Sequence, residues 1–206
     1  MNKDYGIYLV TDSNILKNKD FYTSIEQSLK AGVKTLQLRE KDASGKEFLE
    51  KAYKLREMTK KYNTDFIIND RVDIALLVDA DGVHVGQSDI CAKDVRRLIG
   101  DNKILGVSAK NLCEAQKAKD DGADYIGVGA MFRTKTKLDA DDVSMNDLEN
   151  IRKNLDIDVV AIGGIDLENI SLLTKYNLEG YAIVSSILKS EDIYKVTKDF
   201  IYKIKR

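Results

Sequence analysis

Short apolar runs alternate with longer segments in which apolar residues recur every three or four positions, and this alternation continues along the chain. Continuous apolar runs indicate parallel strands that are buried on both faces, and the longer segments indicate amphipathic helices that cover them. The predicted strands are 7–11, 35–38, 66–68, 82–85, 104–108, 125–128, 159–162 and 181–184. The predicted helices include 72–77, 145–155, 167–176 and 193–203. The repeating strand–helix order predicts an α/β fold.

The number of strand–helix units favours a closed barrel. Eight such units fit a single (β/α)8 TIM barrel better than an open doubly wound sheet, which usually has about five or six strands. The chain has 206 residues, of which 43% are hydrophobic and 33% charged, as suits one domain with a sizeable core. No composition shift suggests a linker, so we expect residues 1–206 to form one barrel domain.

Charge and cysteine content narrow the function classes. The net charge is -1, which implies no basic face and argues against nucleic acid and anionic membrane as partners. No apolar run approaches the roughly 20 residues that span a bilayer, and the first residues lead directly into a strand, so we expect no signal peptide. Cys91 and Cys113 lack metal-ligand spacing, which predicts reduced thiols in a cytoplasmic protein. The sequence leaves the oligomeric state open, including a homo-oligomer.

The second predicted strand runs directly into charged residues. Leu38 is followed by Arg39, Glu40 and Lys41 with no turn residue between. Because side chains alternate along an extended backbone, Gln37, Arg39 and Lys41 should face one side, and Glu40 should point the other way, into the barrel wall. Cations at a buried strand end are unfavourable unless they meet an anion. We expect an anionic ligand there; the alternative is a strand end whose arginine pairs with a neighbouring aspartate.

Two carboxylates follow adjacent strands. Asp70 comes after the third strand, next to Asn69, and Asp89 comes after the fourth. The carboxyl ends of barrel strands meet at one mouth, so the two should converge there. A pair of carboxylates suits Mg²⁺ that also binds substrate phosphates and water, and this predicts a magnesium cofactor. The alternative is that each aspartate caps the helix that follows it.

Two further segments carry features of phosphate sites. The loop 129–142 is long for a strand–helix connection and interleaves Thr134 and Thr136 with Arg133, Lys135 and Lys137. Such cations and hydroxyls can wrap a phosphate, although a solvated basic loop is the alternative. The pairs at 163–164 (two glycines) and 185–186 (two serines) follow strands seven and eight, where barrels often bind a phosphate on backbone N–H groups. The alternative there is a tight turn and a helix cap.

These positions together predict two anion sites and a group-transfer reaction. One site suits a monophosphate, and the other has enough positive charge for a diphosphate. No cysteine sits at a strand end, and His84 lies inside a strand, where a packed and hydrogen-bonded role is expected. The absence of an obvious nucleophile suggests transfer of a group with diphosphate as the leaving group.

The motifs resemble those of thiamine phosphate synthase over nearly the whole chain. They match in order, in spacing and in predicted barrel position. The matching segments are 8–12 (YLVTD), 37–41 (QLREK), 68–70 (IND), 82–89 (GVHVGQSD), 106–109 (GVSA), 122–129 (GADYIGVG), 134–137 (TKTK) and 162–165 (IGGI).

The resemblance implies that a pyrimidine diphosphate, 4-amino-2-methyl-5-hydroxymethylpyrimidine diphosphate, condenses with a thiazole phosphate to give thiamine phosphate and diphosphate. It implies that the pyrimidine diphosphate is held by Gln37, Arg39, Lys41, Asn69 and Lys137, with Thr134 and Thr136 beside them. Ser108 would contact the pyrimidine or its leaving group. The residues expected to act directly in catalysis are Arg39, Lys41, Ser108 and Lys137.

The resemblance also implies a metal site, a thiazole site and a mechanism. Asp70 and Asp89 would bind Mg²⁺, and Gly164, Val184 and Ser185 would bind the thiazole phosphate. Diphosphate would leave first, the aminopyrimidine would stabilise the resulting cation, and the thiazole nitrogen would attack it. This accounts for the lack of a visible general base.

Three positions depart from the family pattern. Ala130 stands where the family usually has proline, Arg133 adds charge near the diphosphate, and Lys110 stands where histidine is common. A thiazole tautomerase on the same barrel is the first alternative, and its catalytic histidine falls near position 110, where this chain has none. A non-catalytic protein that binds a phosphorylated thiamine intermediate is the second alternative.

Overall fold

Parallel strands close into a barrel in which each strand pairs with its sequence neighbours. The structure is a computed structural model that describes residues 3–133 and 143–205. Within them the strands are β1 (Gly6–Val10), β2 (Thr35–Leu38), β3 (Asp65–Asn69), β4 (Gly82–Val85), β5 (Ile104–Ala109), β6 (Tyr125–Val128), β7 (Asp158–Ile162) and β8 (Gly180–Ile183). β8 returns to pair with β1, in the register Tyr8 with Ala182. The predicted (β/α)8 TIM barrel is confirmed.

Helices follow the strands along the described chain. They are α1 (Phe21–Ala31), α2 (Gly45–Tyr62), α3 (Val72–Leu77), α4 (Ala92–Ile99), α5 (Leu112–Asp120), α6 (Met145–Asn154), α7 (Ser171–Thr174), α8 (Ser185–Leu188) and α9 (Ile193–Ile204). Side-chain caps begin several of them; at α2 Ser44 and Glu47 form a reciprocal capping box, as their spacing predicts. None of these helices combines the length and apolar character that crossing a membrane requires.

The helix predicted over 167–176 is wrong in extent. Only Ser171–Thr174 is α-helical. Asp166 accepts hydrogen bonds from the backbone N–H groups of Glu168 and Asn169, both at 2.9 Å, and the Asn169 side chain accepts from the Asp166 N–H at 2.9 Å. Such local side-chain bonds compete with the helical pattern, and they hold this segment in turns. The short helix α8, directly after β8, was not predicted.

The apolar core has two layers. The larger layer lies between the strands and the helices, and includes Leu9, Leu36, Phe66 and Phe200, all at 0% exposure. The smaller layer fills the inside of the barrel. Its buried members are Tyr5, Tyr8, Val10, Ile67, Tyr125, Val160 and Ala182. Strands buried on both faces account for the continuous apolar runs in the sequence.

Glycines inside the barrel make room for its large side chains. A Cβ atom on Gly106 would lie 2.2 Å from the ring of Tyr125, and one on Gly127 would lie 3.0 Å from the ring of His84. Large side chains on β4 and β6 therefore pack against bare backbone on β5 and β6. This alternation of large and small residues lets polar rings occupy the centre of the barrel.

At the amino-terminal end of the barrel, three acidic residues each bind an arginine and a strand N–H group. Asp81, before β4, accepts from Arg56 at 2.7 and 3.0 Å and from the N–H of Phe66 at 2.8 Å. Asp124 and Glu179 repeat this arrangement before β6 and β8. Their partners are Arg96 at 2.6 Å with the N–H of Leu105 at 2.7 Å, and Arg152 at 3.2 Å with the N–H of Val159 at 2.7 Å. We call these three sets the acid–arginine clamps; they tie β4, β6 and β8 each to the preceding strand and to a helix.

Candidate active site

The opposite, carboxyl-terminal end of the barrel collects the predicted polar residues. Arg39 follows β2, Asn69 ends β3, Ser108 lies near the end of β5, and Gly164 follows β7. Because all strands are parallel, these positions open onto the same face of the barrel, which we call the mouth. The closed topology therefore brings together the described members of the predicted site.

The wall of the mouth beside β2 is built around Glu40. Its carboxylate is 5% exposed and accepts hydrogen bonds from the hydroxyl of Thr11 at 2.8 Å and from Lys51 at 3.1 Å. The Thr11 hydroxyl in turn accepts the N–H of Arg39 at 3.0 Å. Glu40 thus points into the wall, as the alternation of side chains predicts, and it fixes the backbone from which Arg39 and Lys41 project.

Arg39 is half-buried, and its side chain forms no ion pair with any residue in 3–133 or 143–205. Lys41 is exposed. The alternative of a strand end that pairs its arginine with a neighbouring aspartate is not found within those residues. The ion pair at this strand end is made by Glu40 and Lys51. Arg39 is thus a cation in a partly desolvated position, which favours an anionic ligand.

Asp70 and Asp89 converge at the mouth as predicted. Burial, and then the hydrogen bond and charge of the neighbouring Asp89 carboxyl, raise the pKa of Asp70 to about 6, although Asn69 and Arg39 act in the opposite direction. The backbone of Asp70 has φ of 60°, and its N–H donates to the carbonyl of His84 at 2.9 Å. Asp89 accepts the N–H of Gly86 at 2.7 Å. Two carboxylates held against each other favour a bound cation.

Neither aspartate caps the following helix. The residue before α3 is Arg71 and the residue before α4 is Cys91, and neither helix receives a side-chain capping bond. The capping alternative is therefore wrong. In the described part of the chain no group of three or more histidine, cysteine, aspartate or glutamate side chains could hold a metal ion. A cation on this pair would need further oxygen ligands from water or from a bound substrate.

Gln37 and Ser108 lie deeper, toward the barrel interior. Gln37 is 5% exposed, and its amide nitrogen donates to the hydroxyl of Tyr8 at 2.7 Å. The hydroxyl of Ser108 is 3.0 Å from Nε2 of His84, whose Nδ1 is 3.0 Å from the hydroxyl of Tyr125. The packed and hydrogen-bonded role predicted for His84 is confirmed. Gln37 and Ser108 thus form the polar floor of the mouth.

The segments after β7 and β8 meet at one side of the mouth. Gly163 and Gly164 have φ of 96° and 65°, and a Cβ atom on Gly164 would lie 2.4 Å from the carbonyl oxygen of Phe132. The hydroxyl of Ser186 donates to the carbonyl of Ile165 at 2.7 Å, which ties the two segments together. Val184 and Ser185 are half-buried at the start of α8, where the first N–H groups lack intrahelical partners.

Several predicted residues lie outside the described part of the chain. These are Thr134, Thr136 and Lys137, with Lys135 between them. The described start of the same loop packs on β7, where the N–H of Met131 donates to the carbonyl of Ile162 at 3.0 Å. Arg133 is exposed. The phosphate-binding role of these threonines and lysines stays a prediction.

Sequence reasoning missed the tyrosines that connect the floor of the mouth. Tyr8 and Tyr125 are each 1% exposed, and their hydroxyl groups are 2.8 Å apart. Each occurs at an inward-facing strand position among apolar residues, where a tyrosine is expected to find a hydrogen-bond partner. That rule could have identified both residues as hydrogen-bonded, but it could not have identified their partners.

Comparison with known proteins agrees with this geometry. The family described as thiamine monophosphate synthase matches residues 7–187 of the chain. A thiamine-phosphate synthase of Clostridioides difficile (strain 630) is 57% identical over 204 residues, which cover 99% of this chain and 97% of that protein. A thiamine-phosphate synthase of Alkaliphilus oremlandii (strain OhILAs) is 54% identical over 202 residues, which cover 98% of this chain and 97% of that protein.

A solved structure is similar over almost its entire length. The thiamine phosphate pyrophosphorylase from Pyrococcus furiosus superposes with a TM-score of 0.91 at 34% sequence identity, and the match covers 99% of this chain and 97% of that one. Family match, sequence identity and fold agree along the same residues. The chain therefore belongs to the thiamine monophosphate synthase family.

Proposed function

We propose that this protein is an enzyme that joins 4-amino-2-methyl-5-hydroxymethylpyrimidine diphosphate to 4-methyl-5-(2-phosphoethyl)thiazole, giving thiamine phosphate and diphosphate. Membership of a transferase family supports the reaction. The observation that carries the site is the Asp70–Asp89 pair, in which burial, and then the neighbouring Asp89 carboxyl, raise the pKa of Asp70 beside the half-buried Arg39. Such a combination suits a ligand made of a cation and a diphosphate.

The donor set fits Mg²⁺. Asp70 and Asp89 would hold it, and oxygen atoms of water and of the diphosphate would complete its shell, since this ion keeps several non-protein ligands. When bound, the ion would neutralise charge on the leaving diphosphate. The raised pKa of Asp70 supports this assignment, because a carboxyl that is held against another carboxyl is stabilised by a cation between them.

The protein residues would bind the leaving group and exclude water. Arg39, Lys41 and Lys137 would neutralise the diphosphate as the bond between carbon and oxygen breaks, with Asn69, Thr134 and Thr136 adding hydrogen bonds. Gln37 and Ser108 would orient the pyrimidine from the floor of the mouth. We propose a dissociative order, in which the aminopyrimidine carries the positive charge until the thiazole nitrogen attacks.

The second substrate would bind on the opposite side. Gly164, Val184 and Ser185 would contact the thiazole phosphate through backbone N–H groups and the serine hydroxyl. The absence of a side chain at Gly164 supports this, although packing against Phe132 also requires glycine there. No general base is needed, since the attacking thiazole nitrogen carries a lone pair.

The direct test mixes the purified protein with both substrates and Mg²⁺ and measures thiamine phosphate and diphosphate. We expect equal amounts of the two products and none when either substrate or the metal ion is omitted. Conversion of the thiazole alone between tautomers would instead support a tautomerase. Position 110 is lysine, and the single histidine has both ring nitrogens bonded inside the barrel, which favours the synthase. Tight binding of both substrates without turnover would indicate a binding protein.

We further propose a cytoplasmic location. Cys91 and Cys113 are both exposed and neither forms a disulfide. Exposed free thiols are typical of a reducing compartment.

A further inference from the structure

A continuous series of hydrogen bonds runs through the barrel interior and joins two residues of the mouth. We call it the interior relay; its members in order are Gln37, Tyr8, Tyr125, His84 and Ser108. The successive distances are 2.7, 2.8, 3.0 and 3.0 Å. The two ends lie at the floor of the mouth, while the three central residues lie beneath it and have no part in the mechanism above.

We infer the direction of these hydrogen bonds from the Gln37 end, where the amide nitrogen faces the hydroxyl of Tyr8. The amide nitrogen of Gln37 can only donate, so the oxygen of Tyr8 accepts. The described contacts of Tyr8 leave one acceptor for its own hydrogen, which is the oxygen of Tyr125. Reversing that bond would leave a buried hydroxyl hydrogen without an acceptor among the described residues, which is unfavourable.

The same argument continues to the Ser108 end. Tyr125 accepts from Tyr8 and needs an acceptor for its own hydrogen, and among the described contacts that acceptor is Nδ1 of His84. His84 is then a neutral ring that carries its hydrogen on Nε2 and donates it to the oxygen of Ser108. Burial raises the pKa of both tyrosines, so neither hydroxyl ionises in the working range. The hydrogen of Ser108 is left to point into the mouth.

We propose that Tyr8, Tyr125 and His84 are positioning residues, which hold Ser108 as a hydrogen-bond donor and Gln37 as an acceptor toward the pyrimidine. With its nitrogen bound to Tyr8, Gln37 presents Oε1. An acceptor and a donor that both open onto the mouth complement an amino group and a ring nitrogen of an aminopyrimidine. This specificity role rests on the proposed function, whereas the direction of the relay does not.

The direction can be tested without substrate. The chain has one histidine, so ¹⁵N-histidine labelling of the untagged protein gives one pair of ring-nitrogen signals. We expect Nε2 to be protonated and Nδ1 to be unprotonated at neutral pH. Protonation of Nδ1 alone, or of both nitrogens, would overturn the proposed direction. Because no substrate is present, this result is independent of whether the synthase reaction is correct.

The functional part is tested with Tyr125→Phe, which removes the hydroxyl at the centre of the relay. We expect kcat/KM for the pyrimidine substrate to fall about two- to tenfold, the equivalent of one neutral hydrogen bond. The histidine signals should also lose their single tautomer. Tyr5→Phe is the matched control, since its ring lies 4.7 Å from that of Tyr125 in the same core layer and its hydroxyl is outside the relay. We expect it to leave both measurements unchanged.

A double-mutant cycle separates positioning from general damage to the core. If Tyr125 acts through Ser108, then Tyr125→Phe should cause little further loss of activity in a Ser108→Ala background. Equal losses in the two backgrounds would contradict the proposal. A Tyr125→Phe protein that keeps the original tautomer and full activity would contradict it as well.

Discussion

At the amino-terminal end of the barrel, acidic side chains are matched with arginines, whereas at the carboxyl-terminal mouth like charges face each other. The acid–arginine clamps give each carboxylate both a cation and a strand N–H group. At the mouth, Asp70 and Asp89 repel each other, and Arg39 has no ion pair within the described residues. Both ends contain aspartate and arginine side chains, but opposite charges are paired at the amino-terminal end and like charges face each other at the mouth.

Residues at the amino-terminal end are therefore expected to contribute to stability, and residues at the mouth to ligand binding and chemistry. The clamps satisfy their charges within the protein, so they should contribute to folding and not to ligand binding. At the mouth, Arg39 forms no ion pair within the described residues and Asp70 faces Asp89. Under the proposed function a ligand would neutralise these charges, which cost stability in the ligand-free protein. Variants at the two ends should therefore change different measurements.

The largest effect is expected for Asp70→Asn. Loss of one carboxylate should lower kcat/KM on the order of 100-fold or more, because the proposed cation site would lose one of its two protein ligands. The same change should stabilise the metal-free protein, since it removes a repelling, partly buried charge. Activity assays with Mg²⁺ and urea unfolding with a chelator measure the two effects, and Asp73→Asn, an exposed residue paired with Arg71, is the control.

The stability gain of Asp70→Asn should depend on pH. The pKa of Asp70 in the folded protein, about 6, lies above its ordinary value of 3.8. The ionised carboxylate therefore destabilises the fold fully above about pH 6, and this penalty is relieved as the pH falls toward about 4. The variant should gain most at about pH 8 and least at about pH 5. A gain that grows on acidification would contradict the raised pKa that burial and the neighbouring Asp89 give this carboxyl.

Arg39→Ala should have the next largest effect. We expect kcat/KM to fall about 10- to 100-fold, the equivalent of one charge-assisted hydrogen bond to the diphosphate. Stability should change little, because the side chain has no ion pair among the described residues. Arg97→Ala on the exposed side of α4, whose guanidinium pairs with Asp94, should keep full activity. Unfolding of the Arg39→Ala protein at lower urea would indicate a structural role instead.

At the other end, Glu179→Gln should affect stability without affecting activity. Glu179 is 8% exposed and Arg152 22%, and the substitution leaves the arginine facing a neutral amide. We expect a loss of about 1–3 kcal/mol in the free energy of unfolding, measured by urea denaturation, with kcat/KM unchanged below the transition. A matching fall in kcat/KM would mean that the two ends are coupled.

The smallest effect is expected for Lys153→Ala. Lys153 neighbours Arg152 on α6, but its ion pair with Glu149 is exposed on both sides, at 70% and 44%. Exposed pairs are screened by solvent and contribute little. We expect the urea midpoint and kcat/KM to match those of the unchanged protein. This variant is thus a control for the Glu179→Gln result, since Lys153 lies on the helix that carries Arg152.

Much of the fold could be predicted because its signals are local. Strands that are buried on both faces read as continuous apolar runs, and the capping box at Ser44 marks a helix start within four residues. The segment 167–176 was an exception, because side chains of Asp166 and Asn169 bond the nearby backbone and outcompete an apolar pattern typical of a helix.

The site was predictable in part for a topological reason. Parallel strands place their carboxyl ends at one face, so residues that follow different strands must converge there, as Asp70 and Asp89 do. The partners of Tyr8 and Tyr125 were not predictable, since the two residues are 117 positions apart and meet only across the closed barrel. Whether Arg39 pairs with an aspartate also depends on the positions of the neighbouring side chains, which the sequence does not give.

The sequence by itself determined the order of strands and helices, the barrel and the set of polar residues at its mouth, because these follow from periodicity and parallel topology. Only the tertiary structure decided which charges are satisfied within the protein. Glu40 bonds Thr11 and Lys51, and the clamps bind their arginines, while Asp70 and Asp89 are left facing each other. Hydrogen bonding and electrostatic repulsion depend on distances of a few ångströms, which packing sets and residue order alone does not.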